Sequence, residues 1–516
     1  MWMAPMAPGS SLSPINKPSS GPDEISSNSG TIIEGWTNPA GVSTILSRMN
    51  SFSSAVFGEF ESKMRSAGYG DAAVQAFRHS YGLLVEGHTG MLPESEIEPV
   101  TELPFFTDVT ASLNPEVSLL SKAIVIKLNG GLGTGMGLEK AKSLLPLKDG
   151  LTFLDFIARQ VLHLRQQHNA PLGFLLMNSF STSKDTLEFL AKYPELGDPA
   201  SMELMQNAVP KVDASTLRPV VWERNPELEW CPPGHGDIYP SLLGSGWMDR
   251  LLAKGIQYLF VSNSDNLGAS LDLRLLTYFA QSQRPFLMEV CERTASDKKG
   301  GHLARRKGQL LLRESAQCPE SDAAAFQDIQ RHRFFNTNNL WVRLDHLKQL
   351  LDKAGGFIPL PVIKNAKTVD PRDKKSPRVF QLETAMGAAI ECFENSAALV
   401  VPRNRFAPVK TTGDLLALRS DAYEITDDWR LKLVESRQGI PPMVDLDPEH
   451  FKLVDQLETA LTGGVPSLAD CESLTVRGPI NLGSKVSLKG KVTINNSGPS
   501  SQVLPPGEYC DQTVTL

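Results

Sequence analysis

Residues 123–137 read AIVIKLNGGLGTGMG, an apolar run that stops abruptly at a glycine-rich segment. The run from residue 123 to 128 is short and apolar at nearly every position, which is typical of a strand buried on both faces. Five glycines then fall between positions 130 and 137. Because glycine lacks a side chain, the backbone N–H groups of such a loop can converge on an anion. The stretch predicts a buried strand followed by an anion-binding loop.

Two common glycine-rich motifs do not fit this loop. It lacks the Gly-Lys-Ser/Thr ending of a Walker A loop, and the GxGxxG spacing of a dinucleotide fingerprint fails at Met136. A turn that only reverses the chain is the remaining alternative. Lys142 and Lys148 follow closely and favour a phosphate ligand over a simple turn.

Further apolar segments follow the loop at the spacing of an alternating α/β domain. A helix is predicted over residues 152–168, with Thr152 as its N-cap, and buried strands are predicted over residues 173–178 and 258–262. Polar residues begin where three apolar runs end, at Asn129, Asn178 and Asn263. Parallel sheets bind ligands just beyond the carboxyl ends of their strands, and these ends lie along one edge of the sheet. We expect an α/β fold with a mixed, mostly parallel central sheet flanked by helices.

The two ends of the chain show other patterns. Apolar spacing predicts helices over residues 44–75 and 77–84, and residues 92–104 read as an irregular connector. Near the C-terminus two sets of aliphatic residues each recur every six positions: Leu474, Ile480, Val486 and Val492, and Val476, Leu482, Leu488 and Ile494. This period is typical of a parallel β-helix, with a pair of short hairpins as the alternative.

Composition excludes several classes of protein. The 51 Lys and Arg residues against 58 Asp and Glu give a net charge of -7, which argues against a protein that coats nucleic acid. The six cysteines are scattered, so a zinc site or a disulfide framework is not expected and a reducing compartment fits best. No apolar run approaches the roughly 18 residues of a membrane span, and the first thirty residues lack a secretory apolar core. We expect a cytoplasmic protein without membrane or nucleic-acid partners.

Three further segments carry candidate site residues, each with a structural alternative. His235 lies among turn formers in residues 230–237 (WCPPGHGD) and, taken alone, reads as a turn residue. Asp265 follows the strand predicted at 258–262; it is a natural ligand for Mg²⁺ held by substrate phosphates, or a helix cap. Lys410, in residues 403–414 (RNRFAPVKTTGD), would ordinarily be a solvated side chain.

Taken together, these segments resemble the UDP-glucose pyrophosphorylase family. The likeness runs from about residue 44 to the C-terminus. Its nine motifs occur in the family's order, at residues 127–137, 142–143, 152–155, 176–180, 232–239, 261–269, 335–341, 381–390 and 408–415. The loop KLNGGLGTxMG and the motif PPGHGD are far more specific than a generic phosphate loop.

The resemblance implies a GT-A-like nucleotidyltransferase with a C-terminal β-helix, which converts UTP and glucose 1-phosphate to UDP-glucose and pyrophosphate with Mg²⁺. It implies nucleotide contacts by Leu128, Asn129, Gly130, Gly131, Gln206 and Gly234. It implies sugar-phosphate contacts by His235, Asn263, Glu314, Asn336 and Asn338. Lys142 would contact the triphosphate, Lys410 the α-phosphate and Asp265 the metal. No nucleophilic triad is expected, since the attacking phosphate is already anionic.

The corresponding domain boundaries are a disordered tail (1–30), an N-terminal helical region (31–115), a catalytic domain (116–425) and a β-helix domain (426–516). The β-helix is a candidate surface for self-association. Residues 138–143 read LEKAKS where the family commonly has Cys-x-Gly-Pro-Lys-Ser, so Lys140 is a rival cation; Gly135 and Gly413 replace a common Ser. A broader UDP-sugar pyrophosphorylase and a non-catalytic UDP-sugar-binding relative are the alternative functions.

Overall fold

The computed structural model describes residues 56–294 and 297–516. The predicted tail over residues 1–30 and the first part of the predicted N-terminal helix lie outside these ranges. The α-helices are α1 (described over residues 56–66), α2 (Asp71–Val85), α3 (Phe106–Thr110), α4 (Phe153–His168), α5 (Ser183–Leu190), α6 (Ile238–Gly244), α7 (Trp247–Ala253), α8 (Leu273–Ser282), α9 (Ala323–Gln327), α10 (Leu344–Lys353), α11 (Thr412–Arg419), α12 (Pro448–Phe451) and α13 (Val454–Ala460).

The strands as far as the last one before α11 are β1 (Glu98–Pro99), β2 (Ala123–Leu128), β3 (Pro146–Lys148), β4 (Leu151–Thr152), β5 (Gly173–Asn178), β6 (Glu203–Met205), β7 (Val209–Pro210), β8 (Val212–Asp213), β9 (Trp230–Cys231), β10 (Tyr258–Asn263), β11 (Phe286–Glu292), β12 (His302–Arg306), β13 (Gln309–Arg313), β14 (Phe334–Arg343), β15 (Ile363–Thr368), β16 (Arg378–Glu383) and β17 (Ala397–Val400). Those after it are β18 (Tyr423–Ile425), β19 (Leu431–Leu433), β20 (Met443–Leu446), β21 (Cys471–Arg477), β22 (Ile480–Asn481), β23 (Val486–Asn495), β24 (Gln502–Val503), β25 (Gly507–Cys510) and β26 (Thr513–Thr515).

The largest sheet is mixed, with a parallel half and a largely antiparallel half. Strands β6, β5, β2 and β10 lie side by side and run parallel. Beyond β10 the sheet continues antiparallel through β14 to β11 and β12, and β12 pairs antiparallel with β1 and β13, while β17 is parallel to β11. The expectation of a mostly parallel sheet therefore holds only for the half that carries the glycine loop. In the other half β12 and β13 form a hairpin, whereas β14 pairs antiparallel with β10 and β11, which are distant from it in the sequence.

Both faces of the parallel half are covered, which explains the uninterrupted apolar runs. In β2, Val125 packs into one core cluster, with α4 and α8, whereas Ile124 and Ile126 pack into another, with α6, α7 and α10. Side chains alternate between the two faces of a strand, so a strand between two helix layers needs apolar residues at every position. The parallel half of the sheet is therefore the middle of three layers, and its polar side chains lie at or beside the strand ends.

The N-terminal prediction needs two corrections. The helix α1 ends near residue 66, and α2 starts at Asp71, so the break falls at residues 67–70 rather than at 76. The reason is Gly68, whose φ of 89° is left-handed and cannot continue a helix. The expected irregular connector contains the short strand β1, which pairs with β12 at the edge of the sheet.

The C-terminal strands pair parallel. Strand β21 pairs with β20 and β23, β23 also pairs with β25 and β26, and β22 pairs with β24. All eight aliphatic side chains of the six-residue repeat are buried. In the β21–β23 register Leu474 faces Val492 and Val476 faces Ile494, which excludes the alternative of a pair of hairpins for these strands. Within the described residues no helix is long and apolar enough to cross a membrane.

Candidate active site

The polar residues that follow the parallel strands meet at one edge of the sheet, as the sequence predicts. Asn129 donates from Nδ2 to Oδ1 of Asn178 (2.7 Å), and Asn178 donates to Glu203 Oε1 (2.7 Å). The backbone N–H of Gln206 donates to the carbonyl of Asn178 (2.7 Å). The side chains of Asn129 and Asn178 are buried and hold β2, β5 and β6 together. The backbone N–H of Asn129 donates to the carbonyl of Met177 (2.8 Å), whereas its buried Oδ1 has no hydrogen-bond partner among the described residues.

The glycine loop is held tightly at both ends. The Ser179 hydroxyl donates to the carbonyl of Gly130 (2.9 Å), and a Cβ at Gly130 would lie 2.6 Å from Oε1 of Gln206. Gly133 adopts a left-handed φ of 71°. The loop closes on itself, because the backbone N–H of Lys142 donates to the carbonyl of Gly131 (3.1 Å). A side chain at position 130 would therefore have to displace the side-chain amide of Gln206.

Lys148 does not reach this loop. Its ammonium donates to the backbone carbonyls of Ser420 (2.6 Å), the C-cap of α11, and of Tyr423, the first residue of β18. The last carbonyls of a helix lack partners within the helix and attract a cation. The expectation that Lys148 contributes to a phosphate site is wrong for this structure.

Gln206 and Gly234 are brought together. The side-chain amide of Gln206 donates from Nε2 to the carbonyl of Gly234 (2.9 Å). Gly234 has φ 81°, and a Cβ there would lie 2.4 Å from the carbonyl oxygen of Thr384. Thr384 N–H in turn donates to the carbonyl of Pro233 (2.9 Å). The PPGHGD segment is thus pinned between Gln206 and the chain just after β16.

His235 is more than a turn residue. Its Nδ1 accepts a hydrogen bond from the backbone N–H of Met386 (3.0 Å). Burial lowers the pKa of His235 to about 3, so the ring is neutral near pH 7. Since Nδ1 accepts, the proton of the neutral ring resides on Nε2. His235 is therefore fixed as a hydrogen-bond donor at Nε2.

Asp237 has a positioning role that sequence reasoning missed. Its carboxylate accepts hydrogen bonds from the backbone N–H of Asn207 (2.7 Å) and from the hydroxyl of Ser241 (2.7 Å). Burial raises the pKa of Asp237 to about 6 although these bonds oppose the shift. Because Asn207 follows Gln206 directly, Asp237 fixes the chain at Gln206. The PPGHGD motif marks this Asp, but not its partner.

Two of the residues expected at the sugar, Asn336 and Asn338, lie at a bulge in the antiparallel half of the sheet. In the β11–β14 register Glu289 pairs with Asn339 and Val290 with Asn336, so two residues of β14 are left without partners on β11. Asn338 is one of them, with a left-handed φ of 59°. Asn336 donates from Nδ2 to Oδ1 of Asn338 (2.7 Å). A bulge re-aims side chains at the edge of a site, and here it does so for Asn338.

Glu314 joins this group through Gly301. The backbone N–H of Asn336 donates to the carbonyl of Gly301 (3.2 Å), and a Cβ on Gly301 would lie 2.4 Å from Oε2 of Glu314. Burial raises the pKa of Glu314, and the charge of Lys410 opposes this shift. Glu314 is therefore a buried carboxylate within the electrostatic reach of Lys410.

Lys142 and Asp265 form an ion pair. The ammonium of Lys142 lies 2.7 Å from Oδ2 of Asp265 and also donates to the carbonyl of Val409. No α-helix begins at Asp265; the N-cap of the next helix, α8, is Asp272. The reading of Asp265 as a helix cap is therefore wrong. In the described part of the chain no group of three or more His, Cys, Asp or Glu side chains could hold a metal alone.

Lys410 stands at the start of α11 with its side chain exposed. Its backbone N–H donates to Oδ2 of Asp414 (2.8 Å), and Thr411 forms the N-terminal capping box of α11 with the same Asp414. The preceding segment is tied to the sheet, since Asn266 Oδ1 accepts from the N–H of Ala407 (2.9 Å). The backbone that presents Lys410 is therefore fixed although the side chain is not.

Comparisons of the sequence with known proteins all point to the same protein family. The family profile described as UTP–glucose-1-phosphate uridylyltransferase matches residues 74–489. A protein of that name from Solanum tuberosum is 39% identical over 422 residues, covering 81% of this chain and 84% of its own length. Another from Saccharomyces cerevisiae is 40% identical over 405 residues, covering 78% of this chain and 80% of its own length.

The chain belongs to the UTP–glucose-1-phosphate uridylyltransferase family. Among solved structures, the UDP-glucose phosphorylase of Trypanosoma brucei is 50% identical with a TM-score of 0.84, covering 90% of this chain and 100% of that one. A mutant UDP-glucose pyrophosphorylase from Leishmania major in complex with UDP-glucose is also 50% identical, with a TM-score of 0.86, covering 90% of this chain and 99% of that one.

In this uridylyltransferase-family chain, the structure gives a role to the segment after β16, for which the sequence motifs predicted none. The residues after β16 contact both groups of predicted site residues: Thr384 packs on Gly234, Met386 binds His235, and a Cβ on Gly387 would lie 2.9 Å from Nδ2 of Asn336. The signal in the sequence is the run of small residues in 384–389 (TAMGAA), which permits such close packing.

The stretch that departs from the family pattern is packed rather than loose. Leu138 covers Gly133, whose Cβ position lies 2.8 Å from Leu138 Cδ1, and Gly137 lies against Leu453 at the start of α13. Lys140 is exposed and makes no ion pair with any residue that the structure describes. Lys142, not Lys140, is the lysine of this stretch that enters the site.

Proposed function

We propose that this chain transfers UMP from UTP to glucose 1-phosphate and releases pyrophosphate, in a reversible reaction. The observation that carries the proposal is the convergence of Lys142, Asp265 and the Lys410 segment beside the glycine loop, at the ends of the parallel strands. The names of the relatives supply the substrates. Cations and backbone N–H groups at that edge suit a reaction between phosphates.

In this reaction an oxygen of the sugar phosphate forms a bond to the α-phosphorus of UTP. The bond from that phosphorus to the oxygen bridging to the β-phosphate breaks, and pyrophosphate leaves with the electron pair. No protein nucleophile or base is needed, because the attacking oxygen is already anionic. The barrier lies in charge repulsion and in alignment, which fixed cations and N–H donors reduce. Lys410 would meet the α-phosphate and Lys142 the triphosphate.

The nucleotide would lie along the glycine loop. Gln206 would read the edge of the uracil, with Gly234 beside the base and Leu128 to Gly131 along the nucleotide. Gln206 donates from Nε2 to the Gly234 carbonyl, so its Oε1 could accept a hydrogen bond from an N–H of the base. Oε1 of Gln206 lies close to the Cβ position of Gly130, so the side chain that would contact the uracil packs directly against the glycine loop. This packing would select a base by its hydrogen-bonding edge.

The sugar phosphate would lie between the glycine loop and the bulged strand β14. The neutral ring of His235, with its proton on Nε2, suits a phosphate or hydroxyl oxygen, and Asn263 stands at the end of β10. Glu314, Asn336 and Asn338 would hold the hydroxyl groups of glucose. Glu314 lies against Gly301, Asn336 lies against Gly387, and Asn336 donates to Asn338, so the three side chains support one another.

Asp265 by itself would hold a divalent cation only weakly, and substrate phosphates would complete the coordination. Asp265 is a single carboxylate, and Mg²⁺ is commonly held by one or two carboxylates plus substrate phosphates. When bound, Mg²⁺ would neutralise phosphate charge and polarise the phosphoryl oxygens. Asp265 would hold it. Mg²⁺ dependence is part of the proposal.

The remaining predictions extend the proposal to the architecture. The parallel C-terminal strands, with both six-residue registers buried, support a β-helix domain over residues 426–516 and a GT-A-like catalytic domain over 116–425. Self-association through the β-helix is also part of the proposal. A cytoplasmic location is proposed because all six cysteines are free. The N-terminal region over residues 31–115 would be a helical addition to the catalytic domain.

The test is pyrophosphate release with UTP, Mg²⁺ and a panel of sugar 1-phosphates. We expect turnover with glucose 1-phosphate and little with the other sugars. Equal turnover with galactose 1-phosphate would favour the broader UDP-sugar pyrophosphorylase. Absence of turnover with every sugar, while UDP-glucose still binds, would favour the non-catalytic relative and contradict the proposal.

A further inference from the structure

A single ammonium group links three segments that the proposed reaction needs. Lys142 follows the glycine loop, Asp265 follows β10, and Val409 precedes Lys410. The ammonium lies on Oδ2 of Asp265 at 2.7 Å and donates to the carbonyl of Val409. The Lys142 and Asp265 side chains are only 16% and 19% exposed, so water screens this pair less than a surface ion pair.

This arrangement conflicts with the roles that the proposed function gives to the same residues. Asp265 cannot offer Oδ2 to a divalent cation while the ammonium of Lys142 occupies it, because two cations at one carboxylate oxygen repel each other. Two of the three N–H donors of Lys142 are held by Asp265 and Val409, so the ammonium cannot move fully to the triphosphate while both contacts persist. The observed pair is therefore a state of the site that substrate binding must change.

We propose that Lys142 occupies the cation position at Asp265 in the ligand-free protein and leaves it when a divalent cation and UTP bind. The displaced ammonium then moves to the phosphates, and the carbonyl of Val409 loses its partner. The segment that carries Lys410 thereby loses one of its contacts, while the N–H of Val409 stays on the carbonyl of Asp265 (3.3 Å) and that of Lys410 on Asp414. This inference rests on the proposed function and adds an order to it: the cation and UTP prepare the Lys410 segment.

The neighbouring lysines cannot take over this role. Lys127 is buried and donates to the Ser262 hydroxyl (2.8 Å) and to the carbonyl of Ala269 (2.6 Å), which fixes it beneath the loop that carries Asp265. Lys140 is exposed and forms no ion pair with described residues. Lys140→Met is therefore a matched control for Lys142→Met, since it removes the same charge from the same stretch.

The first experiment measures Mn²⁺ binding to the full-length protein without UTP or sugar, by electron paramagnetic resonance of free Mn²⁺. We expect weak binding by the unmodified protein and by Lys140→Met. Lys142→Met should bind Mn²⁺ about 5- to 10-fold more tightly, the scale of one partly buried ion pair. Asp265→Asn should abolish binding at this site. Lys142→Gln repeats the test if Lys142→Met folds poorly.

The second experiment measures hydrogen–deuterium exchange in peptides that cover residues 403–414. We expect faster exchange near Val409 in Lys142→Met than in the unmodified protein, and faster exchange in the unmodified protein at saturating Mn²⁺. Lys140→Met should match the unmodified protein. A segment that was merely exposed would exchange at the same rate in all of them.

The possible failures are distinguishable. Equal Mn²⁺ affinity in Lys142→Met and the unmodified protein, with loss of binding in Asp265→Asn, overturns the displacement but leaves Asp265 as the metal ligand. Unchanged binding in Asp265→Asn, or no binding by any variant, overturns both the displacement and the metal assignment. Neither result bears on turnover, which the pyrophosphate assay measures separately.

Discussion

Arg405 donates two hydrogen bonds to Glu289, one to each carboxylate oxygen and both at 2.7 Å. The same carboxylate accepts from the indole N–H of Trp341 (2.8 Å) and from Asn339 Nδ2 (3.0 Å). The Glu289 side chain is fully buried, and that of Arg405 is 7% exposed. The pair joins strand β11 to the segment that presents Lys410.

Breaking this pair should destabilise the fold. Glu289→Gln leaves the guanidinium of Arg405 buried without a countercharge, which costs about 3–5 kcal/mol when one partner of a buried pair is removed. We expect the variant to unfold at a lower urea concentration, with tryptophan fluorescence as the measurement. Lys348→Ala, which removes an exposed pair with Asp352, should change stability by less than about 1 kcal/mol. Similar midpoints for both variants would contradict the importance of the buried pair.

Lys410→Ala should lower kcat about 10²-fold or more, the scale of one lost electrostatic contact in a transition state. Stability should hardly change, since the side chain is exposed and its backbone contacts remain. Steady-state kinetics with UTP and glucose 1-phosphate checks this. Lys140→Ala is the matched control. A near-normal kcat in Lys410→Ala, with a large loss in Lys140→Ala, would assign the α-phosphate to Lys140.

Gly413 and Gly135, two glycines at positions where the family often has Ser, should respond differently to substitution. A Cβ on Gly413 would lie 2.5 Å from the carbonyl oxygen of Val444 in β20, whereas nothing lies within 4 Å of the Cβ position of Gly135. Gly413→Ala should cost about 1–3 kcal/mol through overpacking. Gly135→Ala should change stability by less than about 1 kcal/mol. Thermal unfolding midpoints compare the two directly, and equal shifts would count against this packing.

His235 should make the protein sensitive to acid. Its pKa is about 3 in the folded state and near 6.5 when unfolded, so between these values the unfolded chain binds more protons. Stability is therefore lost as pH falls below about 6.5, by at most about 1.4 kcal/mol per pH unit. We expect a shallower loss in His235→Gln between pH 6.5 and 4.5, measured by urea unfolding at each pH. Parallel curves for the two proteins would exclude the lowered pKa.

Asp237 contributes with the opposite sign in part of this range. Its pKa is raised to about 6, so the folded protein binds more protons than the unfolded chain between about pH 4 and 6. Stability from this group decreases as pH rises through that window. The contribution is common to the unmodified protein and His235→Gln, so it cancels in their comparison.

Much of the site could be found from the sequence because its residues stand next to strand ends. Asn129, Asn178 and Asn263 each follow a predicted strand, and the structure places all three strand ends at one sheet edge. Parallel pairing alone requires this, whichever helices connect the strands. The capping box of Thr152 and Asp155 is local in the same way, and it starts α4 as predicted.

Contacts between segments that are distant in the sequence could not be predicted from local patterns. Lys148 follows the glycine loop as closely as a phosphate ligand would, yet it is bound at the end of α11. Asp237 stands in the turn-forming segment PPGHGD, and nothing local indicates that it holds Asn207. The antiparallel half of the sheet, with its bulge at Asn338, was likewise not predicted, because no local pattern specifies which strands pair.

The sequence by itself determined the layered α/β core, the glycine loop and the family, since apolar runs, glycines and ordered motifs are local properties of the chain. Tertiary structure alone decided which charges meet. The sequence separates Lys142 from both Asp265 and Val409 by more than a hundred residues, and nothing local predicts that one ammonium contacts both. Charge pairing depends on distances of a few ångströms in the folded state, and only the packed sheet and its loops set those distances.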